Sequence, residues 1–282
     1  MNKIPSIKEL RPICQPNYKY EKTIFLVYVF RSFSIYITKF FLLIGISANA
    51  TSVLSLIFGL IGSVFLLNFN YNNLFISSIF LFLHTILDFV DGEVARYNSD
   101  GTPTGKYLDD VNHSINVPLL LFFLSFGIFN LSNNVLIIFL GALAAVCEAV
   151  GHNVDWGYSS RIVLQELKNR KENKNIIIED KNHKKNLFEK FSIFIDKILN
   201  IHPILKKLYD KIWIENRIVN YVMFTGFLTP FFYLFEIGGL EINILSLVIY
   251  FYGINRPIVM FQFYFQKIFL ANKKIERVID EF

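Results

Sequence analysis

Three aspartates and one histidine, Asp88, Asp91, Asp109 and His113, are the residues through which this sequence would do chemistry. His84, Asp88, Asp91 and Ala95 follow one another at i, i+4, i+7 and i+11, which at about 100° per residue sets them along one stripe of a helix. Asp109, Asn112, His113 and Asn116 repeat the device at i, i+3, i+4 and i+7. Between the two stripes Asn98, Asp100, Gly101 and Pro103 read as a turn, so the helices should be antiparallel neighbours and Asp88, Asp91 and Asp109 should converge. Three carboxylates that close repel one another unless a cation lies among them, and hard oxygen donors suit Mg²⁺ or Mn²⁺, or Ca²⁺. Gly92 and Ala95, on or beside the acidic stripe, leave space for a ligand to approach the backbone, although alone they would read as close helix packing.

The elements that must hold these groups are apolar. Of 282 residues 53% are hydrophobic, and the mean hydropathy of +0.42 is too high for a soluble domain of this size. The predicted fold class is an all-α integral membrane protein with six transmembrane helices preceded by an amphipathic interfacial helix. The spans are placed near 51–69, 73–95, 108–129, 133–151, 217–237 and 242–268, each close to the roughly 20 residues that cross a bilayer core. The segment 23–46 is apolar but interrupted by Arg31, Ser32, Ser34 and Lys39, so it is expected to lie in the interface. That divides the chain into 1–22, a cytoplasmic N-terminal segment; 23–46, the interfacial helix; 47–155, spans one to four with the acids; 156–216, a basic cytoplasmic loop; and 217–282, the last two spans and a cytoplasmic C-terminus. An ionisable group at mid-bilayer costs on the order of 3 kcal/mol, less near an interface, so several together require a purpose.

Net charge is +5, concentrated in 156–217 and again at Lys273, Lys274 and Arg277, while the turns at 70–72, 130–132 and 238–241 carry neither Lys nor Arg. By the positive-inside tendency, both termini and the basic loop face the cytoplasm of an inner or cytoplasmic membrane. Beside so many apolar spans the basic cluster predicts contact with anionic lipid, and no nucleic-acid partner. Cys14 and Cys147 stand far apart in unlike contexts and predict no disulfide.

The spacing Asp88, Asp91-Gly92, Ala95-Arg96, eight residues, Gly105, Asp109 and then His113 resembles the pattern D-x2-D-G-x2-A-R-x8-G-x3-D-x3-D of CDP-alcohol phosphotransferases, membrane enzymes of phospholipid biosynthesis. Seven of the eight specified positions fit, and the last, His113, stands where the family has Asp. The stretch Ser47-Ala48-Asn49-Ala50-Thr51 also looks like the family's usual lead into its first span. The resemblance implies transfer of a substituted phosphoryl group, expected to be phosphatidyl from CDP-diacylglycerol, to an acceptor alcohol, with release of CMP and with Mg²⁺ or Mn²⁺ as cofactor. It implies a CDP site at Asp88, Asp91, Gly92, Ala95 and Gly105, metal ligands at Asp88, Asp91 and Asp109, catalytic roles for Asp109 and Arg96, and a homodimer. His113 then takes the place of the family's general base, a task for which imidazole is competent near neutral pH.

Other residues read less sharply. Arg256, inside the last span, would either bind a phosphate of the acceptor or pair with an acid such as Glu148. Glu148, His152, Asn153 and Asp155 end the fourth span and would line an acceptor pocket or simply form a polar helix terminus. His84 reads as an interior hydrogen-bonded group. Two rival functions remain at this point: a family member whose catalysis is lost or altered, and a transporter, which would carry its acids at mid-membrane in broken helices rather than near one rim.

Overall fold

The structure, a computed structural model, describes residues 4–16, 25–99, 102–151, 218–235 and 237–279. The basic loop, with His152, Asn153 and Asp155, lies outside them. Helix α1 spans Ile7–Cys14, α2 Phe25–Ile44, α3 Ala48–Phe65, continued by a 3-10 turn over Leu66–Asn68, α4 Tyr71–Asn98 and α5 Pro103–Ser132. Helix α6 follows over Val135–Gly151, then α7 over Ile218–Leu234 and α8 over Leu240–Ile279. There is no strand among the described residues, as expected where backbone polar groups must be satisfied without water.

The helix ends are encoded locally. Ser47 accepts from the Ala50 amide at 3.3 Å to start α3, and Asn70 accepts from Asn73 at 2.9 Å to start α4. Thr102 accepts from Gly105 at 3.1 Å to start α5, with Pro103 in the first turn where its missing N–H costs nothing. Ser99 and Asn133, both at φ 53°, end α4 and α5 in the left-handed conformation and so set the two short reversals around α5.

Helix α4 is the centre of the bundle, packed by α1, α2, α3 and α7, while α5 lies on α3 and α8 lies on α7 and α5. Its buried residues Leu74, Leu81, Ile86, Val90 and Val94 join Leu120, Leu124, Val222 and Ile249 in one core. Small residues let the backbones approach: a Cβ on Gly226 would collide with Ser78 and the Leu74 carbonyl of α4.

Among the described residues, five helical segments, Val27–Ile44, Ala48–Asn68, Tyr71–Asn98, Thr104–Ser132 and Leu240–Phe261, are long and apolar enough to cross a membrane, while Val135–Gly151 and Ile218–Leu234 are shorter apolar helices. Several apolar helices of this kind mark an integral membrane protein. The expected tally thus differs at both margins: α2 meets the length and hydropathy of a span despite Arg31 and Lys39, and α6 and α7 fall just under that length. The reason is composition, because the interruptions in α2 are too few to lower its mean hydropathy.

Candidate functional site

Helices α4 and α5 both pack on α3 rather than along each other, contrary to the expected helix pair, and their acids still meet where the end of α4 faces the start of α5. Single ligand atoms of Asp88, Asp109 and His113 all lie within 4.8 Å of one another. Nε2 of His113 stands 3.4 Å from Oδ1 of Asp109, one helical turn back, and 3.7 Å from Oδ1 of Asp88 on α4. Side-chain exposure rises from 12% at Asp88 through 23% at His113 to 49% at Asp109, so the group opens toward the first turns of α5. Two carboxylate oxygens and an imidazole nitrogen at that spacing form a donor set that could hold a divalent cation.

Asp91 stands apart from this group, although sequence spacing puts it with Asp88 and Asp109. Its Oδ2 accepts from Ser52 Oγ at 2.6 Å and its Oδ1 from the amide of Gly92, and the residue is 8% exposed. The cause is rotation around α4: Asp91 lies 300° on from Asp88, which turns it toward α3, where Ser52 waits. It remains near enough to Asp88 and Asp109 to feel their charge.

The Gly92 backbone lies close under Arg96, whose guanidinium would be 3.3 Å from an added Cβ. Ala95 lies one turn nearer the end of α4. Gly105 opens α5 beside Asn49, whose Oδ1 would be 3.2 Å from an added Cβ, so the Ser47–Thr51 stretch meets the motif here. Arg96 turns away from the acids: its Nε donates to the Cys14 carbonyl at 2.6 Å, tying the end of α4 to α1. A catalytic role for Arg96 therefore has no contact with Asp88, Asp109 or His113 behind it.

Below the acids a polar ladder continues inward. Nδ1 of His84 lies 3.0 Å from Ser55 Oγ, which accepts from Asn112 Nδ2 at 3.1 Å, and Asn116 in turn donates to Asn112. His84 is thus a buried, hydrogen-bonded group, as its depth in α4 implied. Arg256 stands with Glu148, Nη1 to Oε2 at 2.9 Å, and over the Tyr252 ring at 4.9 Å, so of its two readings the geometry displays the ion pair between α8 and α6.

Sequence reasoning missed Glu93. It lies between Asp91-Gly92 and Ala95-Arg96, is fully buried, and accepts from Gln15 at 2.7 Å, from Thr38 at 2.6 Å and from Ser34. Sequence held one signal for it, a third acid in a segment where every acid is costly. The pairing of Ser52 with Asp91 left no comparable trace.

No curated protein sequence matches the chain. A family model does: residues 45–157 match CDP-alcohol phosphatidyltransferase, over a segment that begins just before α3, ends just beyond α6 and contains Asp88, Asp91, Asp109 and His113. The family works on CDP-alcohols and alcohol acceptors and uses divalent metals, in keeping with the donor set between α4 and α5. The chain therefore carries, at 45–157, the domain of the CDP-alcohol phosphatidyltransferases, a family of transferases for phosphate-containing groups.

Proposed function

We propose that the protein transfers a phosphatidyl group from CDP-diacylglycerol to an acceptor alcohol at the cytoplasmic rim of an inner or cytoplasmic membrane, releasing CMP. The observation that carries this reading is the convergence of Asp88, Asp109 and His113 within 4.8 Å. Asp88 and Asp109, with Asp91 close by, would hold a divalent cation and leave the His113 imidazole free; bound there, the cation would supply charge stabilisation for the diphosphate.

His113 acts as the base. Its Nε2 takes the proton of the acceptor hydroxyl, the freed oxygen bonds to the phosphorus of the diacylglycerol phosphate, and the bond from that phosphorus to the bridging oxygen breaks, leaving CMP. Once the ring carries the proton, Asp109 and Asp88 stand within ion-pair distance of it. Gly92 and Gly105, which put no side chain beside the Arg96 guanidinium and Asn49, would let the nucleotide approach the backbone, and Asp91, held by Ser52, would keep its orientation at the edge of the site.

The proposed topology has six spans, α3 to α8, with α2 at the interface. In support, α2 meets α4 through Phe30, Ser34 and Thr38 at Phe82, Phe89 and Glu93, from the middle of α4 to the end that carries the acids. The site then shares its side of the membrane with the basic loop.

The test is acceptor-dependent CMP release from CDP-diacylglycerol by purified protein with Mn²⁺ or Mg²⁺ and a panel of alcohols. His113→Ala and Asp91→Ala are expected to abolish it. Activity regained only in His113→Asp, or CDP-alcohol bound without turnover in wild type, would instead mark His113 as the scar of a lost or redirected reaction.

A further inference from the structure

We infer that Glu93 is a positioning residue that fixes the rotation of α4 about its own axis, which makes α1 and α2 a working part of the metal centre. The inference rests on the metal-dependent transfer proposed above.

Both helices precede the residues matched by the family model. They nevertheless meet α4 at the residues interleaved with its acids. Glu93 is 0% exposed, and its carboxylate accepts from Gln15, just after α1, and from Ser34 and Thr38 on α2. Gln15 is itself anchored, donating to the Arg31 carbonyl at 2.8 Å. Three residues on, Arg96 donates to the Cys14 carbonyl, so two consecutive turns of α4 are pinned to the same N-terminal unit.

The consequence follows from helix geometry. Glu93 lies 200° from Asp91 and 140° from Asp88, on the face of α4 opposite both. A helix surrounded by lipid and apolar side chains gains little from one rotational setting over another by burial alone, because the lipid is as apolar as its neighbours. Close packing, as at Gly226 against Ser78, and directional hydrogen bonds choose the setting. Ser52 grips Asp91 on one side, and the Gln15, Ser34 and Thr38 donors grip Glu93 on the other. With side-chain ends roughly 6 Å from the axis, a turn of about 20° moves a carboxylate by about 2 Å, a whole metal–oxygen bond length. A modest slip would thus remove Asp88 from the reach of Asp109 and His113.

A carboxylate that merely docks α1 and α2 would affect stability without altering metal affinity, and this separates the two roles. The experiment measures Mn²⁺ binding by electron paramagnetic resonance, alongside CMP release, in wild type, Glu93→Gln, and the exchange Gln15→Glu with Glu93→Gln, which keeps one carboxylate and one amide in the cluster. Glu93→Gln is expected to weaken Mn²⁺ binding about 10- to 100-fold, and the exchange to restore most of it. Unchanged Mn²⁺ affinity in Glu93→Gln, or a loss that the exchange does not repair, overturns the inference. Wild type that binds Mn²⁺ but transfers nothing overturns the proposed function and leaves the positioning role standing; wild type that binds no Mn²⁺ overturns both.

Discussion

Replacing Glu148 by Gln takes the acid from a pair in which its Oε2 stands 2.9 Å from Nη1 of Arg256. At an effective dielectric of about 20, two unit charges at that separation attract by about 6 kcal/mol before desolvation is subtracted. The side chains keep 17% and 18% of their surface, which sets the pair between exposed ones, worth up to about 1 kcal/mol, and fully buried ones, whose breakage costs about 3–5 kcal/mol. A coupling of about 2 kcal/mol is expected, equivalent to about 5 °C in Tm for a chain of this size. Thermal unfolding of wild type, Glu148→Gln, Arg256→Gln and the double variant in one detergent gives that coupling as a double-mutant cycle, in which the double loses less than the sum of the singles. Arg256→Gln should also change KM for phosphorylated and unphosphorylated acceptors alike, since the guanidinium is engaged by Glu148 and by Tyr252. A coupling under about 0.5 kcal/mol, with a KM rise confined to phosphorylated acceptors, would refute the ion-pair reasoning and give Arg256 to the acceptor.

Two glycines of α4 and α7 should behave differently. Gly92→Ala adds a methyl 3.3 Å from the Arg96 guanidinium, which is held at the Cys14 carbonyl and must give way slightly. This crowding offsets the helix-propensity gain of up to about 1 kcal/mol, so thermal stability should hold, while CMP release falls if nucleotide occupies that position. Gly226→Ala drives a Cβ into Ser78 and the Leu74 backbone of α4, which cannot swing aside, and should cost about 1–3 kcal/mol in the same unfolding assay. In Cys14, burial pushes the thiol up to about 11. Because the thiolate is the reactive form and an ordinary thiol titrates near 8.5, alkylation of Cys14 at pH 8 should run about two orders of magnitude slower than for a free thiol and accelerate with rising pH. In the denaturant-unfolded chain, that lag should vanish.

What the sequence determined by itself is largely what depends on period and local chemistry. Apolar runs of spanning length defined the helices, and Ser47, Asn70 and Thr102 began three of them where capping chemistry predicts. The spacing of Asp88, Asp109 and His113, with a turn between them, anticipated that those residues meet, but α4 and α5 scarcely pack on each other, and it is α3, packed on both, that holds them side by side. Tertiary structure decided the rest, because each remaining question concerned which residue a side chain faces across a helix boundary. Asp91 is turned by its position on α4 to Ser52 of α3, Arg96 reaches a carbonyl of α1, and Arg256 meets Glu148 across the α6–α8 contact. Glu93 shows the limit most clearly. Its donors Gln15, Ser34 and Thr38 are 78, 59 and 55 residues away, and no periodicity within α4 can announce a partner at that distance.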